Sequence, residues 1–223
     1  MGIIDNLLNI RQNVPDHVKL VAVSKTKPIA DILEAYKAGQ TVFGENKAQE
    51  ISWKQTELPS DIEWHFIGHL QRNKVKYIVP FVKLIHGVDS LRLLNEINKE
   101  ASKIDSIVDC LLQFHIASEE TKFGFSLSEA EDMLRKDEFK SFQNVRIVGV
   151  MGMATFTEDQ SKIRKEFKIL KSNFDSLKND FFGDAPYFKE ISAGMSNDYN
   201  IAIDEGSTIV RIGSEIFGER NYG

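Results

Sequence analysis

The sequence predicts a single closed (β/α)8 barrel of the TIM type, on three observations. Eight short apolar runs alternate from end to end with longer amphipathic stretches. The runs are apolar at successive positions, as strands covered on both faces must be. None is polar enough to stand as an exposed edge, which favours closure over the open doubly wound sheet that the same alternation allows.

The elements follow in order. The opening stretch MGIIDNLLNIRQNV predicts a helix that buries Ile3, Ile4, Leu7, Leu8 and Val14. Residues 18–24 form the first strand. A helix with Ile29, Ile32, Leu33 and Tyr36 on one face follows, stopped by Gly39. Residues 41–44, 63–67 and 83–87 are the next three strands, and Leu91, Leu94, Ile97 and Ile104 mark a further helix. Strand five spans 109–116, and the capping-box spacing of Ser128 and Glu131 starts the helix after it. Strand six spans 145–151. Its helix is signalled by Thr157 with Gln160 and carries Ile163, Phe167, Leu170, Phe174 and Leu177 on one face. Strand seven spans 187–191, a short helix 197–205 stops at Gly206, and strand eight spans 208–212. No Pro/Gly/Ser-rich linker divides the chain, so residues 1–223 read as one barrel domain with an N-terminal helix.

Composition narrows the function. Lysine and arginine number 28 against 33 acidic residues, net −5, which argues against nucleic acid or an anionic membrane as partner. No apolar run approaches the ~20 residues needed to span a bilayer. The opening stretch is too often interrupted by polar residues for a signal peptide, and Asn6 occupies the position where a myristoylation signal has Ser or Thr. The one cysteine, Cys110, sits in the apolar run VDCLLQF and reads as a core residue, and a chain with no disulfide pair fits a reducing cytoplasm.

In this fold the chemistry sits where the strands end, and the unusual polar residues cluster there. Strand one ends in Ser24-Lys25-Thr26-Lys27, strand two in Glu45-Asn46, strand three in WHFIGHLQRNK and strand six in MGMAT. The loops after strands seven and eight, SAGMSND and RIGS, are rich in glycine and serine, at the two positions where the fold usually cradles a phosphate. Gly194 is read as allowing close backbone approach to a ligand, and Ser192 and Ser196 as hydroxyl donors. Strand eight closes against strand one, so Lys25 lies beside the cradle. An amine in a desolvated mouth next to a phosphate site suits a Schiff base with a phosphorylated aldehyde, and pyridoxal 5′-phosphate is the aldehyde that fits. On AVSK alone, a rim lysine packing its stem is the plainer reading, and Lys27, on the same side, is a rival for the role. His65, His69, His86 and His115 lie near strand ends without the spacing of a metal site. They read as hydrogen-bonded structural histidines, with His65 near a bound ring. Met151 and Met153 read first as packing residues.

The segments AVSKTKP, FGENKAQE, WHFIGHLQRNK, SEETKFG, GVMGMAT and SAGMSNDYNIAIDEGSTIVRIGSEIFGER resemble the pyridoxal phosphate homeostasis protein family, over nearly the whole chain. That family looks like the isolated barrel of fold-type III enzymes such as alanine racemase, without their C-terminal β-domain. The resemblance implies Lys25 as the Schiff-base lysine and Arg211 as the residue facing the pyridine nitrogen. It places Ser192, Gly194, Met195, Ser196, Gly213 and Ser214 in the phosphate-binding segments and Asn46 close to the cofactor. Ala193 stands where the family usually has methionine. Lys122 of SEETKFG is a candidate second amine, although a surface lysine is the plainer reading. The chain ends nine residues after Ser214, so a racemase's β-domain and partner-supplied base are not expected. The implied function is cofactor binding for vitamin B6 homeostasis and delivery to apo forms of pyridoxal phosphate enzymes, by a cytoplasmic monomer that is not an enzyme. The alternatives are a weak amino-acid racemase or lyase of the alanine racemase type, and a sugar-phosphate barrel enzyme in which Lys25 captures substrate.

Overall fold

A computed structural model describes residues 2–117 and 123–219. Helix α1 (Ile3–Asn13) leads into β1 (Lys19–Val23), α2 (Ile29–Lys37), β2 (Val42–Glu45), α3 (Ala48–Glu57) and β3 (Glu63–Phe66). After a 3-10 turn at Arg72–Lys74 come α4 (Val75–Ile78), β4 (Leu84–Val88), α5 (Leu91–Ser102) and β5 (Val108–Phe114). Then follow α6 (Leu127–Arg135), α7 (Asp137–Lys140), β6 (Val145–Gly152) and α8 (Gln160–Phe181). The chain continues through β7 (Glu190–Ser192), α9 (Tyr199–Asp204), β8 (Ile209–Ile212) and α10 (Ser214–Phe217). The strands pair in parallel in sequence order, and β8 closes on β1, with Leu20 beside Val210 and Val21 beside Arg211.

The strands are apolar at successive residues because they serve two cores. Val21, Leu84, Leu111, Val148, Met151 and Ile209 fill the barrel interior. Their neighbours Leu20, Ala22, Phe43, Trp64, Ile85, Cys110 and Leu112 pack outward under the helices. Cys110 is fully buried, and burial pushes its thiol up, away from the nucleophilic thiolate form. Around the outside, Phe188 stacks on both Phe182 and Phe174, with ring centroids 4.2 and 4.9 Å away. Such pairs add ~0.5–1.5 kcal/mol each beyond simple burial.

Four details differ from the sequence reading. In α1 the buried line is Leu7, Ile10 and Val14, with Ile3 packed beside it, while Ile4 and Leu8 face solvent. The helix packs mainly against α10 and α2, and the 3.6-residue turn carries Ile4 and Leu8 to the opposite side. Ile104 lies beyond the end of α5 and is exposed. The capping box of α6 is Ser126 with Glu129, because Ser128 is already inside the first turn. Asp159 caps α8, accepting from the N–H groups of Ser161 and Lys162, which leaves Thr157 outside the helix. Among the described residues, no helix is long and apolar enough to cross a membrane.

Candidate functional site

A cavity of about 470 Å³ opens at the C-terminal mouth of the barrel. Lys25, Asn46, Met195, Ser196, Arg211, Gly213 and Ser214 all line it. They come from the ends of β1, β2, β7 and β8, far apart in sequence and brought together by closure.

The turn that carries Lys25 is fixed from below. Lys54 of α3 is buried to 1 % exposure, and its Nζ donates to the Ser24 carbonyl (2.8 Å), Glu45 Oε1 (2.7 Å) and Glu50 Oε1 (2.8 Å). These are all three of its donors. The Ser24 hydroxyl donates to the same Glu45 oxygen at 2.6 Å, and the Thr26 N–H to Glu50 at 2.6 Å. Thr26 adopts φ +65, a left-handed conformation that costs a residue with a Cβ about 1–2 kcal/mol. Lys25 thus sits between two anchored residues. Burial raises the Glu45 carboxyl above its usual range, and Lys54 opposes the rise.

Lys27 has a different task. Its Nζ donates to the carbonyls of Phe217, Gly218 and Glu219 at 2.9, 3.1 and 3.0 Å, closing the end of α10. Its donors are committed to the backbone, although its side chain borders the cavity.

Arg211 of β8 is 4 % exposed. Its guanidinium donates to the Ser192 hydroxyl at 2.5 Å and to the Gly152 carbonyl at 3.3 Å. Burial pulls its pKa down to about 10, with Asp198 partly offsetting the pull, so it stays charged at neutral pH. Asp198 accepts the Met195 N–H at 2.6 Å and so shapes the loop after β7. The Ser214 hydroxyl donates to that of Ser196 at 3.0 Å, which joins this loop to the one after β8. Glu166 of α8 fixes the MGMAT segment by accepting from the Thr155 N–H (2.7 Å) and hydroxyl (2.8 Å). Met151 packs in the interior, while Met153 is exposed at the rim.

The expectations for Ser192 and His65 need correction, and Gly194 has a packing role of its own. The Ser192 hydroxyl does not face the cavity: it is fully buried between Arg211 and His86 Nδ1, 2.9 Å away. Gly194, at φ +93, is required by its own helix, since a Cβ there would lie 2.8 Å from both Ala202 Cβ and Tyr199 Cα. Its missing side chain lets α9 fold back against the loop. His65 does not approach this mouth; it borders a second cavity at the opposite end of the barrel. Gly213 does line the cavity, but a Cβ on it would lie 3.1 Å from the Val23 Cβ and carbonyl of β1. Lys122 lies outside the described residues.

Lys54, Glu50, Glu166 and His86 carry this architecture without having been singled out as site residues. FGENKAQE held Glu45 and Glu50, and Lys54 stands four residues beyond Glu50, a helical ion-pair spacing. Nothing in the sequence marks Lys54 as buried, because lysines are almost never buried unless paired.

Fold and site together define a lysine-bearing (β/α)8 barrel whose ligand mouth is built from β1 and the last two strand loops. Residues 2–221 match the model of the alanine racemase N-terminal domain, and the chain belongs to that family. It is 41% identical over 206 residues to the pyridoxal phosphate homeostasis protein of Aquifex aeolicus, covering 92% of this chain and 88% of that one. It is 38% identical over 214 residues to the human protein of the same name, covering 92% and 77%. Among solved structures it is similar to PipY of Synechococcus elongatus PCC7942. The structure without PLP gives a TM-score of 0.88 at 34% identity, covering 97% of this chain and 100% of that one. The structure with PLP bound gives 0.86 at 33%, with the same coverage.

Proposed function

We propose that this protein binds pyridoxal 5′-phosphate and serves its homeostasis, holding the cofactor through Lys25 for release to apo-enzymes rather than using it for turnover. The observation that carries the reading is the shared cavity. One lysine amine, one buried charged guanidinium and the two serine-bearing loops converge on a volume suited to a small cofactor. PipY, a relative at 33% identity over almost the whole chain, has a structure with PLP bound.

The residues fit the group. Lys25 would make the covalent link, since Lys27 is occupied with three carbonyls. Ser196, Ser214 and the backbone of the last two loops would hold the phosphate. Asn46 and Arg211 would flank the ring, with Ser192 orienting Arg211 from beneath. Gly194, Met195 and Gly213 would shape the cradle. The cofactor when bound supplies an aldehyde for covalent capture and a ring that withdraws electrons. A positively charged Arg211 offers that ring no proton as readily as a carboxylic acid would. The experiment is titration of the protein with pyridoxal phosphate, followed by absorbance, borohydride reduction and peptide mapping. Saturable binding with label on Lys25 is expected.

A racemase or lyase is the second reading. The observation favouring it is His69 at the cavity, its Nδ1 3.2 Å from Asp89 Oδ2, which provides a candidate base away from Lys25.

A further inference from the structure

We propose that the N-terminal mouth of the barrel is a second ligand site, which takes a small phosphate-type oxyanion on Lys83, Lys189 and the Nε2–H of His65. This site is independent of the cofactor reading, because it lies at the other end of the barrel.

A cavity of about 440 Å³ opens among the residues that begin the strands. Four cationic side chains line it, Lys19, Lys83, Arg146 and Lys189, against two carboxylates, Asp109 and Glu190. The acids are already engaged. Asp109 takes a bidentate pair from Arg146 at 2.7 and 2.9 Å, and Glu190 accepts the Thr208 hydroxyl at 2.6 Å. Lys19 bridges Glu63 at 3.4 Å. Among the described residues, the Lys83 and Lys189 ammonium groups have no hydrogen bond or ion pair.

The floor of this cavity supplies the second observation. His65 is 1 % exposed, and among the described residues its Nε2 has no hydrogen-bond partner. Its Nδ1 lies 2.9 Å from His86 Nε2, and His86 Nδ1 lies 2.9 Å from the Ser192 hydroxyl, which accepts from Arg211. The Ser192 hydroxyl is fully buried, so its hydrogen needs an acceptor, and of its two partners only His86 Nδ1 can be one, because arginine only donates. Ser192 accepts from Arg211, so its own hydrogen goes to His86 Nδ1. His86 therefore carries its hydrogen on Nε2 and donates to His65 Nδ1. Both imidazoles are neutral, since burial holds them far below the usual histidine range. The remaining hydrogen must then sit on His65 Nε2. The orphan atom is a buried donor of a residue that lines a cavity with two unpaired ammonium groups, and what completes it is an acceptor carrying negative charge.

The test is titration of the full-length protein with inorganic phosphate, observed through the imidazole nitrogens of His65 by NMR. We expect a protonated Nε2 and a saturable shift of its N–H resonance. The variant Lys83→Gln/Lys189→Gln alters two exposed positions, so it should fold normally, and it should weaken the phosphate response roughly tenfold. Phosphate bound at the C-terminal mouth would perturb Ser196 and Ser214 amides without requiring these lysines. A hydrogen on Nδ1 of His65, a His65 resonance insensitive to phosphate, or a response unchanged in the double variant would overturn the proposal.

Discussion

The hydroxyls of Ser196 and Ser214 meet at 3.0 Å, and this contact ties the loop after β7 to the loop after β8. Both side chains border the cavity and neither is buried. Removing either should therefore affect ligand affinity far more than folding. Ser196→Ala and Ser214→Ala should each lose about 1.5–3 kcal/mol of binding if their hydroxyls reach the phosphate, roughly ten- to a hundredfold in Kd. Because they bond each other, the double variant should lose less than the sum. Calorimetric titration with pyridoxal phosphate checks this, and unaltered affinity in both single variants would place the phosphate elsewhere.

The two lysines after β1 should separate cleanly. Lys25→Ala should abolish borohydride-trapped label while leaving weak, non-covalent binding through the last two loops. Lys27→Ala should keep the label but release the carbonyls of Phe217, Gly218 and Glu219, lowering stability by about 1–3 kcal/mol. Mass spectrometry of reduced peptides and urea unfolding of both variants read the two effects. Label confined to Lys27 in the parent protein would reverse the assignment.

Lys54 beneath the turn gives a third test. Lys54→Met leaves Glu45 buried without its cation and frees the Ser24 carbonyl, a loss of about 3–5 kcal/mol at neutral pH. The sign of its pH dependence is set by Glu45, whose folded-state pKa is raised. Protonation relieves the uncompensated charge, so the gap to the parent should narrow as pH falls. Denaturant unfolding at several pH values measures it, and a gap that widens on acidification would exclude Glu45 as the cause.

How far the sequence carried these readings depends on the kind of interaction. Strands buried on both faces and helices with one apolar side follow from local periodicity, so all eight strands were legible, as was the clustering of polar residues where they end. Lys25, Ser196 and Ser214 were legible as a set because closure of a (β/α)8 barrel fixes which ends are neighbours, whereas Arg211 came from the family resemblance. Side-chain direction was not. Ser192 turns down toward Arg211 and His86 rather than up to the cavity, and Gly194 is needed by Ala202 and Tyr199. Those outcomes depend on contacts between distant strands and helices, for which one sequence carries no local signal. The same holds for Lys54, whose charge is compensated only once α3 packs under the β1 turn.

The histidine chain makes the stability of the fold pH-dependent. Burial lowers His65 to about 3, and His86 is lowered as well. In the unfolded chain both regain ordinary values near ~6.5. Below that pH the unfolded state takes up protons that the folded state refuses, so this stabilisation is full above about 6.5 and is lost as pH falls toward the folded values. The slope is about 1.4 kcal/mol per pH unit for each histidine. Unfolding free energies between neutral and mildly acidic pH should show it, and His65→Gln should remove one histidine's share. An identical slope in that variant would mean that His65 is already charged in the folded protein.

The last prediction concerns turnover. Amino-acid racemisation needs one base on each side of the substrate's α-carbon, and a well-placed base contributes ~10²–10⁴-fold. Lys25 can supply one. The other candidate at the cavity, His69, is half-exposed at the rim, where it pairs with Asp89 and packs against Phe123 with ring centroids 5.1 Å apart. It is not held by buried partners as Lys54 holds the β1 turn. Arg211 remains charged and committed to Ser192 and Gly152, which makes it a poor proton donor to a cofactor ring. Loaded protein should therefore hand its cofactor to an apo-enzyme, read as recovered activity of the recipient, while exchanging the α-protons of L- and D-alanine negligibly in deuterated water. Proton NMR follows the exchange directly. Exchange at ordinary enzymatic rates of ~1–10³ s⁻¹, lost in both Lys25→Ala and His69→Gln, would make this protein a two-base racemase and overturn the carrier reading.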